Sequence, residues 1–243
     1  MLRDSYHAGV AYGRFDHYRL IDTLRILPKE EEEKGSQEPV LGIEQGGLES
    51  AESLLWARYL MYTQLYFHPI RRIYDIHLRD FLKQWLPDGR FSTSVEDHLQ
   101  MNDNDVTAAI LKAAGNPSNS GHEHARRITE RTHFRRLYQQ NPKDQKRNLK
   151  SVQHVFEAAV KEYSDDRVRR DLYPQKTGTG IDFPVLAHED GRIYSSLELS
   201  ETLSKAPIFS VDRVFIDPTV REKAKRWLDE KRDDIIPAVP TEG

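Results

Sequence analysis

The chain has no cysteine, which removes disulfides, thiolate metal sites and a cysteine nucleophile from consideration. It has no apolar run long enough to span a bilayer and no apolar stretch near Met1 with the form of a secretion signal. A phosphate-cradling Gly-x-x-x-x-Gly-Lys loop and a Gly-x-Ser-x-Gly elbow are both missing. Charge of one sign is missing too: 36 Lys and Arg against 39 Asp and Glu leave a formal net charge of -3. No global basic field therefore invites nucleic acid. These absences predict a cytoplasmic protein with neither membrane nor nucleic acid as partner.

What is present is polar and helical. In 243 residues, 37% are hydrophobic and 31% charged, which suits a helical protein with large solvated faces or a surface meant for a partner. Residues 1–16 read as a helix end running into a loop broken at Gly9 and Gly13. Leu20, Ile21, Leu24 and Leu27 fit helix or strand spacing, with Pro28 as the stop. The Glu-dense residues 29–37 read as a solvated loop. Gly46-Gly47 opens a long helix to about His68 that resumes after Pro69 and runs to Trp85, ended by Pro87-Asp88-Gly89. Thr93 with Glu96, and Ser120 with Glu123, have capping-box spacing. The first pair precedes a short helix, the second a helix carrying Ala125, Ile128 and, further on, Leu137. Another helix spans residues 106–114, closed by Gly115. From Ser151, the residues Val152, Val155, Phe156, Ala159, Val160 and Tyr163 make one continuous apolar stripe.

The character changes after Tyr173-Pro174. Residues 183–187 and 192–194 read as strands around the Asp190-Gly191 turn. Ser195 and Glu198 cap a short helix to Leu203, residues 211–216 read as a strand, and Asp217-Pro218 opens the last helix. From Asp233 the tail reads as frayed. The expected class is mainly α, α+β in detail: a helical body over residues 1–173 and a small mixed α/β lobe with a tail over residues 174–243.

Arg58, Tyr62 and Tyr66 stand at i, i+4 and i+8, one stripe on one helix face. A guanidinium and two phenols suit a nucleotide, since Arg contacts phosphate oxygens in bidentate fashion and Tyr offers a ring and a hydroxyl. On spacing alone the other reading stands beside it, with Tyr62 and Tyr66 as core aromatics and Arg58 paired with an acid. His122-Glu123-His124 invites a metal, but imidazoles at i, i+2 diverge on a helix and a hydrolytic site needs three or more convergent ligands. The run Arg126, Arg127, Arg131, Arg135, Arg136 reads as a helix face able to meet a phosphate or an acidic surface.

Leu2-Arg3-Asp4-Ser5-Tyr6-His7-Ala8-Gly9-Val10 and Tyr12-Gly13-Arg14-Phe15-Asp16, with a helix carrying Ala57-Arg58-Tyr59, Tyr62-Thr63-Gln64-Leu65-Tyr66 and His68, resemble HD-superfamily phosphohydrolases. The resemblance is to the branch of the dNTP triphosphohydrolases, the SAM- and HD-domain dNTPases. It implies a helical catalytic domain with a smaller C-terminal lobe that converts dNTP to deoxynucleoside and triphosphate with a divalent metal (Mg, Mn, Fe or Zn). It implies substrate contacts by Arg58 to phosphate, Tyr66 to the sugar face and Asp4 to the sugar 3′-hydroxyl, with Tyr62 where some members have His, and His68 after the same helix motif. In tetrameric members a basic residue at the place of Arg25 helps form an effector site, against the plainer reading of a solvated helix Arg. The family's metal ligands precede the Arg-Asp string, and this chain has no His-Asp dipeptide. The expectation is thus the C-terminal portion of such an enzyme, inactive alone, with no catalytic or metal residue of its own. It would associate with the missing half or with itself through an exposed patch at Tyr59, Tyr62 or Tyr66. The alternative is a non-catalytic nucleotide-binding or protein-interaction module derived from that family.

Overall fold

The computed structural model describes residues 1–30, 37–173, 182–206 and 210–238. Residues 1–68 carry α1 (Leu2–Ala8), α2 (His17–Asp22), β1 (Leu24–Glu30), β2 (Gln37–Glu44), α3 (Leu48–Met61) and a π-helical turn, Tyr62–Tyr66. Next come α4 (Pro69–Trp85), α5 (Val95–Gln100), α6 (Asp103–Ala114), α7 (His122–Thr129), β3 (Arg135–Gln139), α8 (Pro142–Arg147), α9 (Ser151–Tyr163) and β4 (Val168–Tyr173). Then follow β5 (Pro184–Leu186), β6 (Ile193–Ser195), α10 (Ser196–Leu199) and α11 (Glu201–Ser204), and last β7 (Val211–Ile216), α12 (Arg221–Glu230) and α13 (Arg232–Ile235). The fold is α+β, mostly helix with two small sheets. The described residues form two compact units: 1–68 with 182–210 in one, 69–173 with 211–238 in the other. Each unit draws on both sides of the change of character at Tyr173.

In the first unit the sheet order is β1-β2-β5-β6. β1 and β2 pair antiparallel, β2 and β5 parallel through Ile43 and Val185, and β5 and β6 antiparallel about the Asp190-Gly191 turn. Ile43, Ala51 and Val185 form its core, with Leu20, Leu24, Leu48 and Phe183 packed on them. Pro28 does not stop an element. It lies inside β1 opposite Pro39, and it is tolerated because β1 is an edge strand, where a missing N–H breaks no ladder. The short helix expected to run to Leu203 is two helices, since Ser200 accepts from the Leu203 amide at 2.9 Å and starts a second one. The centre of the Glu-dense stretch, residues 31–36, lies outside the described residues.

In the second unit β7 is the central strand of β3-β7-β4, antiparallel to both neighbours. The apolar stripe of α9 packs on this sheet: Val152, Val155, Ala159 and Tyr163 join Leu137, Tyr138, Val168, Val214, Ile216, Ala224, Leu228 and Ile236 in one core. Each aliphatic side chain buried this way contributes roughly 1.5–3 kcal/mol. Leu137 is therefore not on a helix. The chain leaves α7 after Thr129, turns at Arg131 with φ 58° and enters β3, because pairing with β7 outweighs local helix preference. The tail is not frayed at Asp233: that residue lies within α13, Ile236 is fully buried, and Asn148 Nδ2 donates to Pro237 O at 3.0 Å. Residues 239–243 lie outside the described residues.

The expected caps shift by one residue or more. Ser94, not Thr93, caps α5 by accepting from the Asp97 amide at 3.3 Å. α6 starts at Asp103 through a capping box of Asn102 and Asp105. Ser120 caps nothing. The N-cap of α7 is Gly121 with φ 78° and no side-chain bond, chosen by close packing, since a Cβ there would lie 2.6 Å from Phe81 Cδ2. Gly121→Ala combines left-handed strain with overpacking against a buried ring, and an expected loss of roughly 2–4 kcal/mol follows. Urea unfolding measures it, and a loss below about 0.5 kcal/mol, the scatter of surface changes, refutes the packing argument.

Candidate functional site

The first unit brings the predicted stripe and Asp4 together. α1 carries Asp4, and α3 carries Arg58 on its last turn. The helix then widens: the Phe67 amide donates to Tyr62 O at 2.9 Å, an i→i+5 bond. Four residues of α-helix overshoot a full turn by about 40°, whereas four residues of a π turn fall about 30° short of one. The π turn therefore brings Tyr66 back almost above Arg58, where an unbroken α-helix would carry it about 80° round. Such turns recur at functional sites.

The contacts run in a chain. The Arg58 guanidinium lies 5.3 Å from the centre of the Tyr62 ring. Tyr62 meets Tyr66 edge-on at 5.3 Å and stacks on Phe67 at 5.6 Å. The Tyr66 hydroxyl donates to Asp4 Oδ2 at 2.6 Å across 62 residues of sequence. Burial, and then the hydrogen bond and charge of Asp4, push the Tyr66 phenol up to about 12. The same hydrogen bond holds Asp4 below the usual carboxylate range. At neutral pH the pair is thus a phenol donating to a carboxylate, whose Oδ1 faces Arg3 Nε at 3.5 Å. Arg58 is exposed, and among the described residues no carboxylate pairs with it. His68 is exposed in the turn after Tyr66, its amide donating to Leu65 O at 3.3 Å.

Two expectations need correction. Tyr59, Tyr62 and Tyr66 form no open patch: they are half-buried because they pack on Trp56, on Phe67 and on each other. The most exposed large apolar side chains among the described residues of this unit are instead Tyr6, Tyr18, Ile21, Ile26 and Leu41. Arg25 is not on a helix but in β1, where it pairs with Glu44 at 2.5 Å and donates to Asp22 O and Leu24 O.

In the second unit the basic run splits. Arg126 pairs with Glu123 and Glu130, Arg127 with Asp217, and Arg136 donates to Gln139. Arg131 and Arg135, exposed and without an ion pair among the described residues, line a cavity of about 570 Å³ with Ile70, Tyr74, Ile128 and His133. Two guanidiniums at one opening suit an anion. His122 and His124 diverge: His122 Nδ1 bonds Ala113 O at 2.9 Å, and His124 Nδ1 meets His77 Nδ1 at 3.3 Å. The His77–His124 pair left no trace in sequence, because its members are 47 residues apart on different helices.

Among the described residues no group of three or more His, Asp or Glu side chains is placed to hold a metal ion. Among the same residues no helix is long and apolar enough to cross a membrane.

Comparison with known proteins follows the same outline. The pattern of the HD associated region family matches residues 15–168, more than half of the chain. The uncharacterized protein YwfO of Bacillus subtilis is 33% identical over 100 residues, 40% of this chain and 21% of that protein. An uncharacterized protein of Methanocaldococcus jannaschii is 38% identical over 79 residues, 32% of this chain and 16% of its own length. A hypothetical protein from Aquifex aeolicus superposes with a TM-score of 0.74 at 30% identity, over 93% of this chain and 55% of that one. A phosphohydrolase from Bacteroides thetaiotaomicron shares the fold, with a TM-score of 0.57 at 18% identity over 88% of this chain and 58% of its own. The chain thus spans about a fifth of the curated relatives it matches and little more than half of the solved ones.

Proposed function

The chain belongs to the HD associated region family, and from that premise we propose that it forms the substrate-binding side of an HD-type phosphohydrolase of the dNTP triphosphohydrolase kind. In this reading it binds a deoxynucleoside triphosphate, and among the described residues no group is placed to hold the metal. The observation that carries the reading is the 2.6 Å bond from Tyr66 to Asp4, which joins the Arg-Asp string to the aromatic stripe and, through Tyr62, to Arg58.

In this reading the Arg58 guanidinium grips phosphate, the Tyr66 ring packs on the sugar, and Asp4 accepts from a sugar hydroxyl. The acidity of Asp4 keeps it an acceptor at neutral pH. Tyr62 spaces Arg58 from Tyr66, and His68 stands at the edge. In the whole enzyme the chemistry a divalent cation would supply is an acidified water and neutralisation of phosphate charge. The described residues offer no ligand set for one, so the chain alone is expected to bind nucleotide without hydrolysing it. A second copy or a metal-bearing segment is the partner this reading calls for, in a cytoplasmic nucleotide pool.

Calorimetric titration with dGTP tests it. Arg58→Ala is expected to weaken binding by roughly 1.5–3 kcal/mol, the range for a hydrogen bond to a charged group. An affinity for dGTP that Arg58→Ala leaves unchanged, or no binding at millimolar nucleotide, sinks the reading. So does release of triphosphate by the pure chain above a no-protein control.

A further inference from the structure

The Asp4–Tyr66 bond spans two elements that something must hold in register. Asp4 sits in α1, beside Ser5, which is 2% exposed and donates through Oγ to Leu2 O at 2.9 Å. Met61, fully buried, is the last α-helical residue before the π turn that aims Tyr66. The loop after α1 folds back, with the Val10 amide donating to Ser5 O at 3.0 Å, and brings Gly13 between them. A Cβ at position 13 would lie 2.7 Å from Ser5 Cβ, 2.9 Å from Met61 Sδ and 3.2 Å from Met61 Cγ.

We propose that Gly13 is a positioning residue for the Asp4–Tyr66 pair: its missing side chain lets α1 seat on the end of α3 closely enough for Asp4 to reach Tyr66. The proposal rests on the reading of Asp4 and Tyr66 as nucleotide contacts and adds to it the residue that sets their distance.

The distances decide what moves. Ordinary contact begins at 3.4 Å, so a methyl at position 13 needs a shift of about 0.7 Å from Ser5 Cβ, which is backbone-fixed. Met61 is enclosed on all sides, whereas α1 is seven residues long and mostly exposed. α1 is therefore the part that yields, and Asp4 travels with Ser5. An O–H···O bond holds between about 2.5 and 3.0 Å, so the 2.6 Å bond does not survive a displacement of that size.

The test reads the hydroxyl directly. The ¹³Cζ shift of Tyr66 at neutral pH reports what its hydroxyl donates to, with Asp4→Ala as the reference for the broken bond. Gly13→Ala is expected to move that signal to the Asp4→Ala position and to weaken dGTP binding tenfold or more. Ser5→Gly in the Gly13→Ala background removes the nearest collision, with Ser5 Cβ, leaving that with Met61 Sδ at 2.9 Å, and is expected to move both back toward wild type. A folded Gly13→Ala protein with the wild-type Tyr66 signal overturns the proposal. If Gly13→Ala alone does not fold, the double variant decides: a folded double variant with the broken-bond signal overturns it, and one whose signal moves back toward wild type supports it. If the full chain binds no dGTP while the Tyr66 signal follows this pattern, the nucleotide reading fails and the positioning role of Gly13 stands.

Discussion

Asp171→Ala is expected to destabilise the second unit by about 3–5 kcal/mol, the cost of leaving one side of a buried ion pair uncompensated. Asp171 is 2% exposed in the middle of β4. Arg72, from α4, donates to it through Nε at 3.1 Å to each oxygen and through Nη2 at 2.6 Å to Oδ1. The same carboxylate serves a second cation. Arg213, in β7, is 6% exposed, and burial lowers its affinity for a proton while the charge of Asp171 supports it. Removing Asp171 therefore takes the buried carboxylate from two guanidiniums: Arg72 keeps Asp75 at 3.5 Å, and the almost dry Arg213 keeps its bond to Gln139 at 3.2 Å. A domain is stable by only about 5–15 kcal/mol in all, so the loss is a large fraction of the whole. Replacing Arg72 as well, as in Arg72→Met with Asp171→Leu, is expected to recover only part of it, because buried Arg213 still loses the charge of Asp171. Denaturant unfolding of the full chain measures both. A single-variant loss under about 1 kcal/mol, typical of surface pairs, would show that the pair carries no structural load.

The second large effect is acid sensitivity that begins well above the carboxylate range. Burial, then the charges of His124, Arg127 and Arg169, pull His77 down from 6.5 to about 3, with Asp80 opposing. Burial lowers His124 and His133 as well. The bonding fixes how His77 stands: its Nε2 accepts from the Phe134 amide at 3.3 Å, so Nδ1 carries the proton and donates to His124 Nδ1. A histidine held neutral in the fold contributes its stability fully above its unfolded value, near 6.5. That stability is lost as pH falls from there toward the folded value, because the unfolded chain takes up the proton first. His77 alone gives a slope of about 1.4 kcal/mol per pH unit in that window.

The carboxylates act lower down. In Asp80 and Asp144 burial raises the carboxyl, but bonds to Arg169 and Arg232 outweigh it and hold it below 3.8. Asp217 is likewise held low against burial by Thr219 and Arg127. Their contribution disappears only toward and below that range, so the interval from pH 6.5 down to about 5 belongs to the histidines. Urea unfolding across that interval is expected to show the slope. His77→Phe should flatten it, although stability at pH 8 falls because the Phe134 amide loses its acceptor. A wild-type curve flat between pH 6.5 and 5 would falsify this account.

Sequence signals were good where a single element explains itself. The α9 stripe announced a helix and its buried face, because period 3.6 is a property of the chain alone. The Asp190-Gly191 turn announced β5 and β6, and Asp217-Pro218 the start of the last helical segment, because caps and turns are settled within four residues. Asp4, Arg58, Tyr62 and Tyr66 were legible as candidates from residue type, spacing and resemblance. Their joining by one hydrogen bond was not, nor was the π turn that realigns Tyr66 with Arg58.

What the sequence by itself determined is the class of the fold, most helix positions, the absence of thiol chemistry and of a His-Asp string, and a shortlist for the site. Only the tertiary structure decided which strand Leu137 belongs to, that Pro28 sits inside an edge strand, that Gly121 rather than Ser120 begins α7, and that Ile236 closes a core. It alone paired Arg72 with Asp171 and His77 with His124, 99 and 47 residues apart. The reason is common to all of these. Local preferences amount to about 1 kcal/mol or less per residue, whereas a buried contact or ion pair is worth several, and which residues share such a contact is set by how distant segments pack.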